Sequence, residues 1–174
     1  MPKRQDNAGV TLIELLLSLA IGGLLLSAIA AAFHSSLTSY TENEKIARAT
    51  QTARSVVNRM MRDIRGAAAT DAYASQITVI PPEDGSGLQQ VQYEFDSAAQ
   101  CLYYRRTVSG ATTSHVLIGG NDVQVTTFYA TSEWGQDSQG VSCIKSVTVR
   151  LGFRIGGQQF AVTSSAAPRR NQIF

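Results

Sequence analysis

The strongest pattern along the chain is an apolar block over residues 10–33 that contains a single charged residue, Glu14. At ~1.5 Å per residue, a helix of this length spans roughly 36 Å, which exceeds the ~30 Å hydrocarbon core of a bilayer. Lys3 and Arg4 precede the block, and basic flanks stay on the cytoplasmic side of a membrane. The pattern predicts one transmembrane helix, with the remainder of the chain outside the cytoplasm.

Beyond the apolar block, residues 34–66 continue as helix because neither proline nor glycine occurs before Gly66. Apolar positions recur there at alternating steps of four and three, the spacing of one helical face. This stripe consists of Ile46, Thr50, Ala53, Val57, Met60 and Ile64. The opposite, polar face carries Lys45, Arg48, Thr52, Ser55, Arg59 and Arg62. We expect an amphipathic stalk whose stripe packs beneath a β-sheet.

After residue 75 the pattern changes to short β-branched and aromatic runs, several with the period of two that is typical of strands. The predicted strands are Gln76–Ile80, Val91–Phe95, Leu102–Val108, His115–Ile118, Val123–Ala130, Ile144–Ile155 and Gln158–Thr163. Gly156-Gly157 predicts a hairpin between the last two. An Ala-rich connector follows Gly66. The fold class is therefore α+β, with residues 67–174 forming an antiparallel β-rich head on the long helix.

Glu14 needs an explanation, because a carboxylate in a membrane helix costs about 2.5–3.5 kcal/mol even on lenient insertion scales. Cleavage between Gly9 and Val10 would create a positive α-amino group four residues before it, on the same helical face. Two other interpretations stay open. A secretory signal would be cut near Ala28-Ile29-Ala30 and would release a soluble binding protein. A plain membrane anchor accounts for the length of the block but not for the carboxylate.

The segment Gly9-Val10-Thr11-Leu12-Ile13-Glu14-Leu15 resembles the type IV prepilin processing motif. The resemblance implies a leader of residues 1–9 that a prepilin peptidase removes after Gly9. It further implies that Val10, which replaces the usual phenylalanine, is a candidate for N-methylation, and that Glu14 supports assembly into a filament.

Weaker similarities continue into the head. Arg62-Asp63-Ile64-Arg65, Tyr93-Glu94-Phe95 before Cys101-Leu102-Tyr103-Tyr104, and Arg170-Asn171 resemble PilW-type minor pilins, and the first is shared with J-type pseudopilins. This implies a minor pilin near the tip of a type IV pilus, or a minor pseudopilin of a type II secretion system. The implied partners are the prepilin peptidase, other pilins or pseudopilins, an inner-membrane assembly platform, and membrane lipid before assembly. The implied location is the bacterial inner membrane, with the head in the periplasm.

Candidate chemistry elsewhere is sparse. Cys101 and Cys143 lack the spacing of a zinc site and leave two alternatives, one intrachain disulfide or two buried thiols. The net charge of +2 is too small to argue for a nucleic-acid partner, and no aromatic residues interleave with the stalk arginines. Glu83-Asp84-Gly85 and Asn121-Asp122 lack the ligand spacing of a calcium loop and are predicted turns. No metal, cofactor or catalytic motif is indicated, so we expect a structural protein rather than an enzyme.

Overall fold

The computed structural model describes residues 10–120, 123–136, 140 and 142–168, and in this part of the chain it contains one helix and eight strands. In chain order these are α1 (Leu12–Gly66), β1 (Ala69–Tyr73), β2 (Gln76–Ile80), β3 (Leu88–Asp96), β4 (Cys101–Val108), β5 (Ala111–Ile118), β6 (Gln124–Gln136), β7 (Ser142–Ile155) and β8 (Gln158–Ala166).

The chain divides into two compact units, with the boundary between Glu44 and Lys45. The first unit contains the N-terminal part of α1. Its most apolar 18-residue window has a mean hydropathy of 2.3, and none of that window is buried. By length and composition this helix can cross a membrane, as the apolar block predicts. The second unit contains the rest of α1 and all eight strands.

The strands of the second unit form two antiparallel sheets, not the single sheet that we expected. One has the order β1-β2-β3-β4-β5 and the other β6-β7-β8. They meet where the amide of Ala130 in β6 donates to the carbonyl of Ala74, at 2.9 Å, just after β1. Each sheet is built from consecutive strands, so short hairpin turns suffice to connect them. Gly156-Gly157 forms the predicted β7–β8 turn, with Gly156 at a φ of 55°.

The C-terminal part of α1 packs against the sheets through the predicted apolar stripe. Ala53, Val57, Met60 and Ile64 are buried, while Thr50 is half-buried. The buried face is wider than the stripe and also includes Ala49, Val56 and Met61. A helix against a sheet buries a broad band rather than a single line of side chains. The predicted α+β arrangement is confirmed.

The seven predicted strands are all present, with ends that differ by a few residues, but β1 was missed. The segment assigned to a connector is a strand that pairs with β2 from Ala69↔Ile80 to Tyr73↔Gln76. Its turn consists of Ala74 and Ser75, and Ala74 has a φ of 45°. Such turns usually carry Asn-Gly or Asp-Gly, so neither its turn nor its Ala-rich composition indicated a hairpin.

Thr70 of β1 offers a test of the packing between the strands. It is buried, and its Oγ1 has no hydrogen-bond partner among the described residues. A buried hydroxyl without a partner destabilises a fold by about 1–3 kcal/mol. We expect the near-isosteric Thr70→Val to leave the free energy of unfolding unchanged or to raise it by about 1 kcal/mol, as measured by urea denaturation of the full chain. A loss of more than about 1 kcal/mol would indicate that the hydroxyl is bound after all, for example to water.

Candidate functional site

The start of α1 places Glu14 in the first helical turn. The carbonyl of Thr11 accepts hydrogen bonds from the amides of Glu14 and Leu15, both at 3.1 Å, so the helix begins immediately after Thr11. The Thr11 hydroxyl also lies 3.5 Å from Glu14 Oε2, at the limit for a hydrogen bond. A threonine before the helix and a glutamate at its third position form the pattern of a capping box. The positive end of the helix dipole independently favours a carboxylate here.

The candidate cleavage site lies at the edge of the part of the chain that the structure describes. Gly9 falls outside the described residues, whereas Val10 is described and is 73% exposed. Glu14 is exposed as well. The residue that would become the new N-terminus and the carboxylate that would face it are therefore both accessible to another molecule.

Exposed apolar side chains surround the first unit on all sides of the helix. Every large apolar or aromatic residue from Val10 to Tyr40 is 48–78% exposed. A soluble surface helix shows a stripe, whereas a helix that is apolar all round belongs in lipid or within a bundle. Exposed apolar surface of this extent marks a site of membrane or protein contact. Among the described residues these side chains are left exposed, so the first unit presents an apolar surface suited to a membrane or to another protein.

A second group of functional side chains lies within the second unit, where α1 meets the sheet of β1–β5. The Tyr93 hydroxyl donates a 2.6 Å hydrogen bond to Asp63 Oδ2. One helical turn earlier, the Arg59 guanidinium lies 4.1 Å from the centre of the Tyr104 ring. Tyr93 and Tyr104 are opposite each other on β3 and β4, with ring centres 5.5 Å apart. These four side chains, which we call the junction cluster, tie the helix to the sheet.

Burial and charge shift the protonation of the junction cluster. Burial, and next the hydrogen bond to Asp63, raise the pKa of Tyr93 far above its usual value, so the phenol stays protonated. Burial alone would lower the pKa of Arg59, but its two tyrosine neighbours and Asp63 outweigh that effect and raise it. At neutral pH, Tyr93 therefore stays neutral and Arg59 stays positively charged.

The junction cluster corrects the expectation for Arg59. Arg59 was assigned to the polar face of the stalk, yet it is half-buried over an aromatic ring. Asp63, Tyr93 and Tyr104 belong to three separate segments of the sequence, 62–65, 93–95 and 101–104, and they lie together in this cluster. In the sequence, Arg59 and Asp63 are four residues apart, which places both on one face of a helix. This spacing could have indicated that the two side chains belong to one site.

The structure leaves Cys101 and Cys143 as free thiols. Cys101 follows Gln100, whose carbonyl accepts from the Val125 amide at the start of β6. Cys143 pairs with Gly135, ten residues further along β6. Ten residues of strand at ~3.3 Å each place the two cysteine backbones roughly 30 Å apart. A disulfide requires Cα atoms within ~7 Å of each other. Of the two alternatives that the sequence left open, the structure has two separate thiols, of which Cys143 is buried and Cys101 is half-buried.

Other candidate groups stay apart. Asp84 accepts a hydrogen bond from the Ser86 amide at 2.9 Å, and the chain bends at Gly85 and Ser86. Asn121 and Asp122 fall outside the described residues. Arg170 and Asn171 fall outside them as well. Among the described residues, no group of three or more His, Cys, Asp or Glu side chains is arranged to hold a metal ion.

Comparison with known proteins adds one finding. Residues 4–30 match the family model of the prokaryotic N-terminal methylation motif. The match includes Gly9, Val10 and Glu14 and ends within the apolar helix. No curated protein and no solved structure matches the chain.

Proposed function

We propose that this type IV pilin-like chain, which carries the prepilin-type N-terminal signature, is a minor pilin that a prepilin peptidase processes for assembly near the tip of a type IV pilus. The observation that carries the proposal is that two features occur together in the N-terminal segment. The helix α1 begins three residues after the motif's glycine, its large apolar side chains are all exposed as far as Tyr40, and its first turn holds a carboxylate. A filament of such helices would bury both the apolar surface and the charge.

The assembly step follows from electrostatics. Before assembly the helix lies in the inner membrane, where lipid covers its apolar side chains and the head is in the periplasm. Cleavage after Gly9 frees the α-amino group of Val10, a methylation candidate. On entry into a filament, Glu14 of the incoming subunit faces that positive amino group, either its own or a neighbour's. Opposite charges ~4 Å apart attract by about 4 kcal/mol at an effective dielectric constant of ~20, which favours the register that pairs them.

The proposed status as a minor subunit depends on the resemblance of the stalk end and of the Tyr93 and Tyr104 segments to PilW-type minor pilins. In the structure these segments meet in the junction cluster, which joins α1 to the sheet. The proposed partners are the prepilin peptidase, other pilins and the inner-membrane assembly platform. Quantitative mass spectrometry of sheared pili should find this chain at a small fraction of the major subunit.

The processing step is tested on the full precursor expressed with a prepilin peptidase. Intact mass and N-terminal sequencing should show a mature chain that begins at Val10, because the resemblance to the prepilin processing motif implies a cut after Gly9. Gly9→Leu should yield only uncut precursor, since the peptidase requires a small residue there. As a matched control, Ala8→Leu changes the adjacent leader residue and should be cut as the wild type is. A mature chain that begins near Ala31 would show signal-peptide cleavage instead and would overturn the proposal.

A further inference from the structure

A cleft in the second unit, beside the junction cluster, brings three arginines together. It has a volume of about 420 Å³ and lies between the end of α1 and the sheet strands β2–β4. Arg59 and Arg62 reach it from α1, and Arg106 reaches it from β4, where it pairs with Val91 of β3. The volume lies in the range of ligand-binding pockets. Arg106 is distant in sequence from the two helix arginines, so the fold brings the third arginine to this site.

The charges of the cleft are only partly compensated. Asp63 is its sole acidic lining residue among those described, and that carboxylate already accepts the Tyr93 hydrogen bond. Arg59 is held over Tyr104 and so is fixed in place before any ligand arrives. Arg62 and Arg106 are exposed, and no salt bridge to either is present in the described part of the chain. Among the lining residues three arginines face one aspartate, while Asp84 in the bordering loop offsets part of the charge of Arg106.

The remaining lining is apolar and shapes what can bind. Val79, Pro81 and Leu88 line the cleft together with Val91. A guanidinium presents two parallel N–H groups that match a carboxylate, and the apolar wall favours an aliphatic side chain beside it. A ligand that satisfies both features carries one or two carboxylates next to apolar side chains.

We propose that this cleft binds an acidic, partly apolar peptide segment of another protein. Arg62 and Arg106 contact the carboxylates, Arg59 is a pre-positioned third donor, and the apolar wall takes the neighbouring side chains. The site lies wholly within the second unit, so the inference does not depend on cleavage or filament formation.

A nucleic acid fits the cleft less well than such a peptide. The loop with Glu83 and Asp84 borders the cleft, because Pro81 and Leu88 line both the cleft and the hollow beside that loop. Hydrogen bonds from Ser86 chiefly lower the pKa of Asp84, and the nearby charge of Arg106 adds to the effect. A continuous polyanion carries a charge at every nucleotide next to this negative loop, whereas a short peptide needs only one or two carboxylates, placed at the arginines. Arginines that bind a nucleic acid normally follow its backbone over several phosphates.

The test uses the full chain in uncharged detergent micelles and a fluorescein-labelled hexapeptide of alternating glutamate and leucine. Fluorescence polarisation should show saturable binding that weakens with added salt. The double variant Arg62→Glu/Arg106→Glu should raise the Kd at least tenfold. A hexapeptide of alternating lysine and leucine should not bind. The matched control, Arg54→Glu/Arg150→Glu, makes the same change in net charge at two exposed arginines outside the cleft and should leave the Kd within about twofold.

Three results would overturn the inference. One is the absence of saturable binding by the acidic peptide. Another is equal weakening by the cleft variant and the control variant, which would show attraction to the net charge alone. The third is tighter binding of a twelve-nucleotide single-stranded oligothymidylate than of the peptide, again lost in the cleft variant, which would assign the arginines to a nucleic acid. Circular dichroism of both variants checks that the head is folded.

Discussion

Glu14→Gln is expected to leave the chain inserted in the membrane and cleaved at Val10, while the amount found in filaments falls at least tenfold. Glutamine keeps the size of the side chain and its capacity to accept a hydrogen bond, but it removes the charge that would face the α-amino group. A tenfold fall corresponds to about 1.4 kcal/mol, less than the ~4 kcal/mol attraction of a pair at 4 Å and an effective dielectric constant of ~20. Immunoblots that compare sheared filaments with the membrane fraction measure the ratio.

Two control variants separate this role from helix capping. Glu14→Asp keeps the charge and should restore most of the incorporation. Thr11→Val removes the hydroxyl that lies near Glu14 at the helix start, which costs a helix about 1 kcal/mol, but keeps the carboxylate. If Thr11→Val reduced incorporation as strongly as Glu14→Gln, helix capping would explain the effect. Unchanged incorporation of Glu14→Gln would remove the proposed role of the charge.

Local periodicity is what made most of the architecture predictable. The helix end at Gly66 and the burial of Ala53, Val57, Met60 and Ile64 follow from a spacing that only a helix satisfies. In β7, alternate residues from Val147 to Ile155 are buried as the period of two requires. Such patterns report on one element at a time, so they predicted strands correctly without showing that the strands divide between two sheets.

The features that escaped prediction depend on contacts between distant residues. Tyr93 and Asp63 are 30 residues apart, and nothing in either local sequence shows that the tyrosine hydroxyl would donate a hydrogen bond to the carboxylate. The cleft arginines come from α1 and β4, so a search for clustered charges along the chain finds only the stalk arginines. The separation of Cys101 from Cys143 required the register of β6, which cysteine spacing does not reveal.

Tyr93→Phe is expected to lower the free energy of unfolding at pH 7 by about 1.5–3 kcal/mol, the range for a hydrogen bond to a charged group. The substitution keeps the ring against Tyr104 and removes only the hydroxyl that satisfies the Asp63 carboxylate. Urea denaturation of the full chain, followed by near-ultraviolet circular dichroism, gives the value. Tyr73→Phe is the matched control because Tyr73 is 81% exposed, and it should change stability by less than about 0.5 kcal/mol.

The pH dependence gives an independent reading of the same hydroxyl. Burial and the Asp63 bond raise the pKa of Tyr93 in the folded chain, while the unfolded chain has the ordinary tyrosine value of about 10. Above pH ~10 the unfolded state therefore releases a proton that the folded state retains, and stability falls as the pH rises. Below that pH both states hold the proton, so Tyr93 contributes no slope. Above pH ~10, the free energy of unfolding of Tyr93→Phe should fall less steeply with pH than that of the wild type, whereas Tyr73→Phe should behave as the wild type does. Equal slopes in all three proteins would assign the alkaline transition to other groups. They would also show that the Tyr93 hydroxyl is not the buried donor to Asp63.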